Sequence, residues 1–279
     1  MAPATSKEKR LKIMSTNGNT NSKSAQLVQE ALDQGLLSQA GFGALNVIDV
    51  GQQITAALGA PAMETSATEV TLVQLLIDDS GSIRMVTGNT EAVRSGHNTV
   101  LDALKGSKQG DGVQVHCKYL NGTILYPFVT LDNATEMTSR NYNPNGGTPL
   151  YDQSLVILAT LIAKVTDFEN SGIPVHTVTC IVTDGADSGS QATAAQVAKV
   201  VRDLLKKESH IICGMGIDDG STDFTQVFTD MGIPKEWILI PGNSPSEIRK
   251  AFAVVSKSAV RASQNAASFS KQAAGGFAA

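Results

Sequence analysis

The sequence predicts an α/β domain: a mostly parallel six-stranded sheet with one antiparallel edge strand and helices on both faces. Three observations carry that prediction. From Val70 onward, short apolar runs alternate with segments of helical period, the signature of consecutive β-α-β units. The first run, Val70-Thr71-Leu72-Val73-Gln74-Leu75-Leu76-Ile77, is nearly continuously apolar, as a strand covered on both faces must be. Asn121-Gly122, between two further runs, is a tight-hairpin dipeptide and supplies the antiparallel strand.

Each element has its own signals. Residues 1–23 are rich in Ser, Thr, Asn and Lys and read as a disordered leader. Lys7, Lys9, Arg10 and Lys12 form a solvated basic cluster there, which a start at Met14 would remove. Residues 24–69 read as a helical extension and linker. Leu27, Val28, Ala31 and Leu32 recur at helical spacing and stop at Gly35, a C-cap residue. Residues 44–58 form a second apolar segment that fits a helix (Val47, Ile48, Ile54, Leu58), although its Val-Ile-Asp-Val start also suits a strand. Residues 59–69, with Pro61, complete the linker.

The domain proper spans 70–262. After the strand 70–77 comes a helix over 90–105 with Val93, Val100, Leu101 and Leu104 on one side. Strands 113–120 and 123–129 flank the hairpin. A helix over 149–166 opens with Pro149, which suits a first turn. Strand 175–183, helix 193–207, strand 210–217, a short helix 224–231 and a last strand 237–240 follow. Ser244-Pro245-Ser246-Glu247 is a capping box for a final helix to about residue 262. Residues 263–279 are Ala, Ser, Gln and Gly with Phe269 and Phe277, a low-complexity tail that cannot build a core.

Composition narrows the function classes. The 279-residue chain is 42% hydrophobic with a mean hydropathy of −0.02, ordinary for a globular domain. Its net charge of −4 gives no bulk attraction for nucleic acid or membrane. No apolar run approaches a membrane span and no signal-peptide core is visible, so a cytoplasmic location is expected. Cys117, Cys180 and Cys213 are odd in number, far apart and set in apolar runs, and so read as buried thiols in a reducing compartment. With no C-x-x-C and with His97, His116, His176 and His210 scattered singly, zinc is not expected.

Three short segments carry the chemistry. Asp78-Asp79-Ser80-Gly81-Ser82 closes the first strand with a carboxylate and two hydroxyls at alternate positions. Asn145-Gly146-Gly147-Thr148-Pro149 puts a hydroxyl in a glycine-rich loop before a helix, and Thr183-Asp184-Gly185 ends a later strand on a carboxylate. Such hard oxygens suit Mg²⁺, Mn²⁺ or Ca²⁺.

These segments resemble the metal-ion-dependent adhesion site of von Willebrand factor A (VWA) domains, with its D-x-S-x-S, threonine and aspartate elements in that order. Asp78, Ser80 and Ser82 match in register, whereas starting at Asp79 would put Gly81 in a serine position. Thr148 and Asp184 complete the five positions. The Gly-Gly-Thr-Pro-Leu-Tyr-Asp context looks like that of bacterial intracellular members. The resemblance implies a doubly wound sheet with the first and fourth strands adjacent. It implies that Ser80 and Ser82 bind the ion directly, that Thr148 does so when ligand is bound, and that Asp78 and Asp184 act largely through water. It also implies a non-enzymatic adaptor or scaffold whose protein partner presents an Asp or Glu to the cation, such as an AAA+ ATPase or operon neighbour.

Two other readings compete. The extension and tail could self-associate, making this an assembly protein. In another register, Leu-Ile-Asp-Asp79-Ser80-Gly81-Ser82 resembles an aspartic-protease motif, which would need an almost all-β fold and a second copy; Thr183-Asp184-Gly185 has glycine where the hydroxyl belongs. Gly146-Gly147-Thr148 lacks the lysine of a phosphate loop. Asp187, Asp218, Asp219 and Asp223 read as turn and cap residues.

Overall fold

The computed structural model describes residues 23–48, 50–107, 112–264 and 275–278. Residues 1–22 of the leader, with its basic cluster, and Phe269 within the tail lie outside the described residues; Lys23, expected to close the leader, instead begins the first helix. Among the described residues three short helices precede the sheet: α1 (Lys23–Asp33), α2 (Gln39–Leu45) and α3 (Gly51–Ala57). Then follow β1 (Val70–Ile77), α4 (Asn89–Lys105), β2 (Val113–Tyr119), β3 (Ile124–Thr130), α5 (Leu150–Asn170) and β4 (Val175–Thr183). The chain continues through α6 (Ala194–Leu205), β5 (His210–Gly216), α7 (Phe224–Asp230), β6 (Ile238–Leu239) and α8 (Pro245–Gln264).

The six strands form one sheet in the order β3-β2-β1-β4-β5-β6. Every pairing is parallel except β2 with β3, the hairpin closed by Asn121-Gly122, where Gly122 takes a φ of 91°. β1 and β4 lie side by side in continuous register from Val70↔Val175 to Ile77↔Val182. The connections leaving them diverge to opposite faces, so a crevice opens beyond their carboxyl ends.

Helices cover both faces. α4 and α8 pack together on one, with Phe252 of α8 against Gly96 of α4, where a β-carbon would lie 2.2 Å from the ring. α5 and α6 cover the other. Every residue of α5 from Ser154 through Thr166 is buried, because α1, α2 and α3 pack over its outer side while the sheet holds its inner side. Leu27, Val28, Leu36, Leu37, Phe42, Leu45 and Ile54 thus share one continuous core with the sheet. The apolar segment expected as one helix over 44–58 is instead the end of α2, a break, and α3.

Polar clips fix this outer layer. Ser38 caps α2 by accepting from Gly41 N at 3.1 Å, and donates its backbone N–H (2.9 Å) and hydroxyl (2.6 Å) to Asp203 of α6. Lys118 of β2 donates to Gln53 Oε1 at 3.1 Å, and Lys164 of α5 donates to the Ala60 carbonyl at 2.5 Å. Lys23 pairs with Asp167 at 2.9 Å, near the end of α5. The Ser244–Glu247 box before α8 forms only in half: Glu247 N donates to Ser244 Oγ at 3.4 Å, but Ser244 N donates to the Gly242 carbonyl, and Glu247 Oε2 accepts from the Ser244 hydroxyl at 2.7 Å instead. The three cysteines are free and buried.

Candidate metal centre

The carboxyl ends of β1 and β4 bring four of the five expected residues into contact. Asp78 extends the ladder of β1, its N–H donating to Val182 O at 3.0 Å. Its carboxylate serves the loop backbone: Oδ1 accepts from Ser80 N at 2.7 Å, and Oδ2 from Thr183 Oγ1 at 2.7 Å and Asp184 N at 3.3 Å. Asp184 Oδ1 accepts from Ser82 Oγ at 2.7 Å and Ser80 Oγ at 3.1 Å, while the two serine oxygens stand 2.8 Å apart. Three oxygens therefore form a triangle with edges of 2.7–3.1 Å. An octahedron of oxygens at the ~2.1 Å typical of Mg²⁺ has adjacent oxygens about 3.0 Å apart, so the triangle fits one of its faces.

Thr148 reaches the same crevice on its own loop. Gly146 bridges Ser80, with Gly81 N donating to Gly146 O at 3.1 Å. The Thr148 carbonyl accepts from Leu150 N at 2.8 Å and from Ser188 N at 2.7 Å, joining its loop to the one after β4. Its hydroxyl engages no hydrogen bond among the described residues.

The electrostatics are those of an uncompensated site. Burial, then the charge of Asp78, push the Asp184 carboxyl up to about 6, against hydrogen bonds from Ser82 and Ser80. Among the described residues no Lys, Arg or His pairs with either carboxylate. Two carboxylates and three hydroxyls make a hard, oxygen-only donor set. It is distinct from any grouping of three or more His, Cys, Asp or Glu able to hold a metal, of which the described residues contain none.

Several supporting residues escape a motif reading. Asp79, outside the expected ligand set, stitches three loops together: its carbonyl accepts from Asn145 N (2.8 Å) and Gly146 N (2.9 Å), and its Oδ1 from Asn121 N (3.0 Å). Burial raises its carboxyl to about 6. Tyr142 donates its hydroxyl to the Asp78 carbonyl at 2.6 Å, and Arg94 Nη2 holds the Tyr142 carbonyl at 3.0 Å. Asp187 Oδ1 accepts from Tyr151 N at 3.0 Å, and Asp152 accepts from Gln191 N and Ala192 N, binding the start of α5 to the β4–α6 loop. Asp218, Asp219 and Asp223 accept hydrogen bonds from backbone two or three residues on, the turn and cap roles expected of them. The histidines pack structurally: His97 on Tyr126 OH, His116 on Tyr126 O, His210 on Thr177 Oγ1, and His176 beside Glu69.

No protein-family model and no curated protein matches the chain. Solved structures do resemble it. The pilus adhesin SpaC of Lactobacillus rhamnosus GG superposes with a TM-score of 0.53 at 14% identity, over 70% of this chain and 31% of that one. The likeness is one of fold. The doubly wound α/β architecture of VWA/Rossmann type is what the two share. A von Willebrand factor type A protein from Catenulispora acidiphila gives 0.47 at 14% identity, over 69% of this chain and 43% of that one. Proximal thread matrix protein 1 of the mussel byssus, in a form with a zinc-occupied adhesion motif, gives 0.46 at 17%, over 69% and 46%. The chain thus spans between about a third and a half of the length of these structures.

Proposed function

We propose that the protein is a divalent-cation-dependent protein-binding module, an adaptor or scaffold without catalytic activity, that captures an acidic side chain of its partner. The observation that supports this most is the convergence of Ser80, Ser82 and Asp184 oxygens at octahedral-face spacing beside the buried Asp78. Asp78, Ser80, Ser82, Thr148 and Asp184 would hold the ion, with Mg²⁺ favoured and Mn²⁺ or Ca²⁺ compatible. Bound there, the cation supplies an electrophilic coordination position for an incoming carboxylate. Two carboxylates against a divalent cation leave the site formally neutral instead of negative, so an incoming carboxylate meets no excess negative charge there.

The chain's own residues do the rest. Asp78 holds the loop backbone through Ser80 N and Asp184 N, Asp79 locks the neighbouring loops, and Thr148 keeps an uncommitted hydroxyl. Asp79 faces the Asn121 hairpin, and the sheet is α/β, which favours binding over aspartic-type hydrolysis. The apolar residues of α1–α3 contact the protein's own core, which favours capture over self-association. By the resemblance to intracellular members, the partner would be cytoplasmic, such as an AAA+ ATPase or operon neighbour.

The test is capture of protein from native lysate in Mg²⁺ and in EDTA, with Asp78→Ala and Ser80→Ala alongside. Capture should be lost in EDTA and in both variants while their circular dichroism is unchanged. Capture that survives EDTA and both substitutions would exclude the reading.

A further inference from the structure

Among the described residues only three large apolar side chains are strongly exposed: Met63, Met85 and Ile240. Met85, 83% exposed, closes the 3₁₀ turn Gly81–Met85 that begins inside the candidate metal centre. Its neighbour Arg84 is also exposed, and among the described residues no carboxylate pairs with it. Ser82 and Ile83 of the same turn face inward, Ser82 onto Asp184 and Ile83 into the core. One short turn thus places a ligand hydroxyl, a free cation and a bare methionine in succession.

The chain is anchored again a few residues past the turn: Asn89, at the start of α4, donates to Asn243, and Gly88 packs against Pro245 at the start of α8. Gly88 takes a φ of 91°, and a β-carbon there would come within 2.9 Å of the proline ring. Arg84 and Met85 thus lie between two held points of the chain, Ser82 and Ile83 before them and Gly88 and Asn89 after. An isolated exposed methionine is unremarkable, since folded surfaces carry much apolar area. What distinguishes Met85 is its company: an unpaired arginine beside it, on a turn that starts in the candidate metal centre.

We infer that Arg84 and Met85 select the partner: the acidic residue that approaches the cation is accompanied in the same segment by a second carboxylate for Arg84 and a large apolar side chain for Met85. This deepens the adhesion reading and rests on it. The geometry sets the spacing. A 3₁₀ turn rises about 2 Å per residue, so Arg84 and Met85 lie roughly 4 and 6 Å beyond Ser82. An extended segment advances about 3.3 Å per residue, so the two partner side chains fall within one to three residues of the ligating carboxylate. Arginine suits this role because its planar fork accepts a carboxylate in two hydrogen bonds. Methionine suits it because the flexible thioether moulds to different apolar surfaces. The charge distribution favours approach from this side, because Asp218, Asp219 and Asp223 crowd the loops after β5 and repel a second acid there.

The test uses synthetic extended peptides on an array, probed with the full chain in Mg²⁺ and in EDTA. One series carries a single Glu in a Gly-Ser background, a second adds another Glu at each flanking position, a third adds Leu, and a fourth puts Lys in place of the second Glu. The wild-type chain should retain the Glu-Glu-Leu peptides best, each addition strengthening retention about three-fold, as exposed pairs do. Arg84→Glu should reverse the charge preference, now favouring the Lys series, and Met85→Ser should erase the Leu preference alone. Both side chains are exposed, so neither substitution disturbs the core, and Mn²⁺ binding followed by electron paramagnetic resonance should match the wild type. Cation-dependent retention of acidic peptides that ignores both substitutions would overturn this inference and leave the adhesion reading standing. No cation-dependent retention by the wild type would overturn both.

Discussion

Asp78 and Asp79 are adjacent in sequence and opposite in role. The first is 1% exposed and directs both carboxylate oxygens at the backbone and side chains of the crevice; the second turns to the hairpin. The alternation of D-x-S-x-S makes this division legible, because a one-residue shift would put glycine in a ligand position. The role of Tyr142 is not legible, because its acceptor lies 64 positions away and no local pattern announces it. Tyr142→Phe should leave the buried Asp78 carbonyl without its donor, lowering unfolding stability by about 1–2 kcal/mol in urea titration and weakening cation binding. Asp184→Asn keeps the acceptor for Ser82 and removes a buried charge that repels Asp78. Without cation it should melt no lower than the wild type in scanning calorimetry. With cation, the wild type should gain about 2.7 kcal/mol at a hundredfold excess over Kd, and the variant nothing.

At the level of elements, the periodicity located every strand of the sheet and most helices to within a few residues. It failed where a segment's burial depends on a distant neighbour. The 44–58 region breaks into two helices because Asn46 ends α2 and the chain must turn to lay α3 across α5 and β3. Gly59 marks the next bend: φ is +63°, and a β-carbon would sit 1.8 Å from the Phe128 carbonyl oxygen. Gly59→Ala should therefore cost more than the ~1 kcal/mol of an ordinary positive-φ glycine and detach this layer, seen as faster proteolysis ahead of β1. Lys118 offers a pH signature. Burial lowers its ammonium from 10.5 to about 7, and that of Lys164 to about 8. The unfolded chain then holds more protons than the folded one across that window, so stability should rise with pH from about 7 toward the 9.0 of an ordinary thiol. Lys118→Met should flatten this rise and raise the urea midpoint near neutrality. An unchanged slope would show that the amine stays charged when folded.

For the molecule as a whole, the sequence carries a clue that strand and helix periods alone pass over. Ser154-Leu-Val-Ile-Leu-Ala-Thr-Leu-Ile-Ala-Lys-Val-Thr166 has no polar side wide enough to face water, and a helix apolar all round must be covered all round. The sheet covers one side, and the helices within residues 24–69 cover the other. A chain starting at residue 70 should consequently expose that flank, binding a hydrophobic dye and aggregating where the full chain does not. Such a chain staying monomeric and dye-silent would refute this. The same helix also fixes a distance. Thr148 precedes its first turn at the cation pole, while Lys23 is pinned to Asp167 near its last. Seventeen residues from Leu150 to Asp167 at 1.5 Å each separate the two by about 26 Å. The candidate metal centre and Lys23 thus lie by opposite ends of this helix, so a label or surface attachment made at Lys23 should leave the centre accessible.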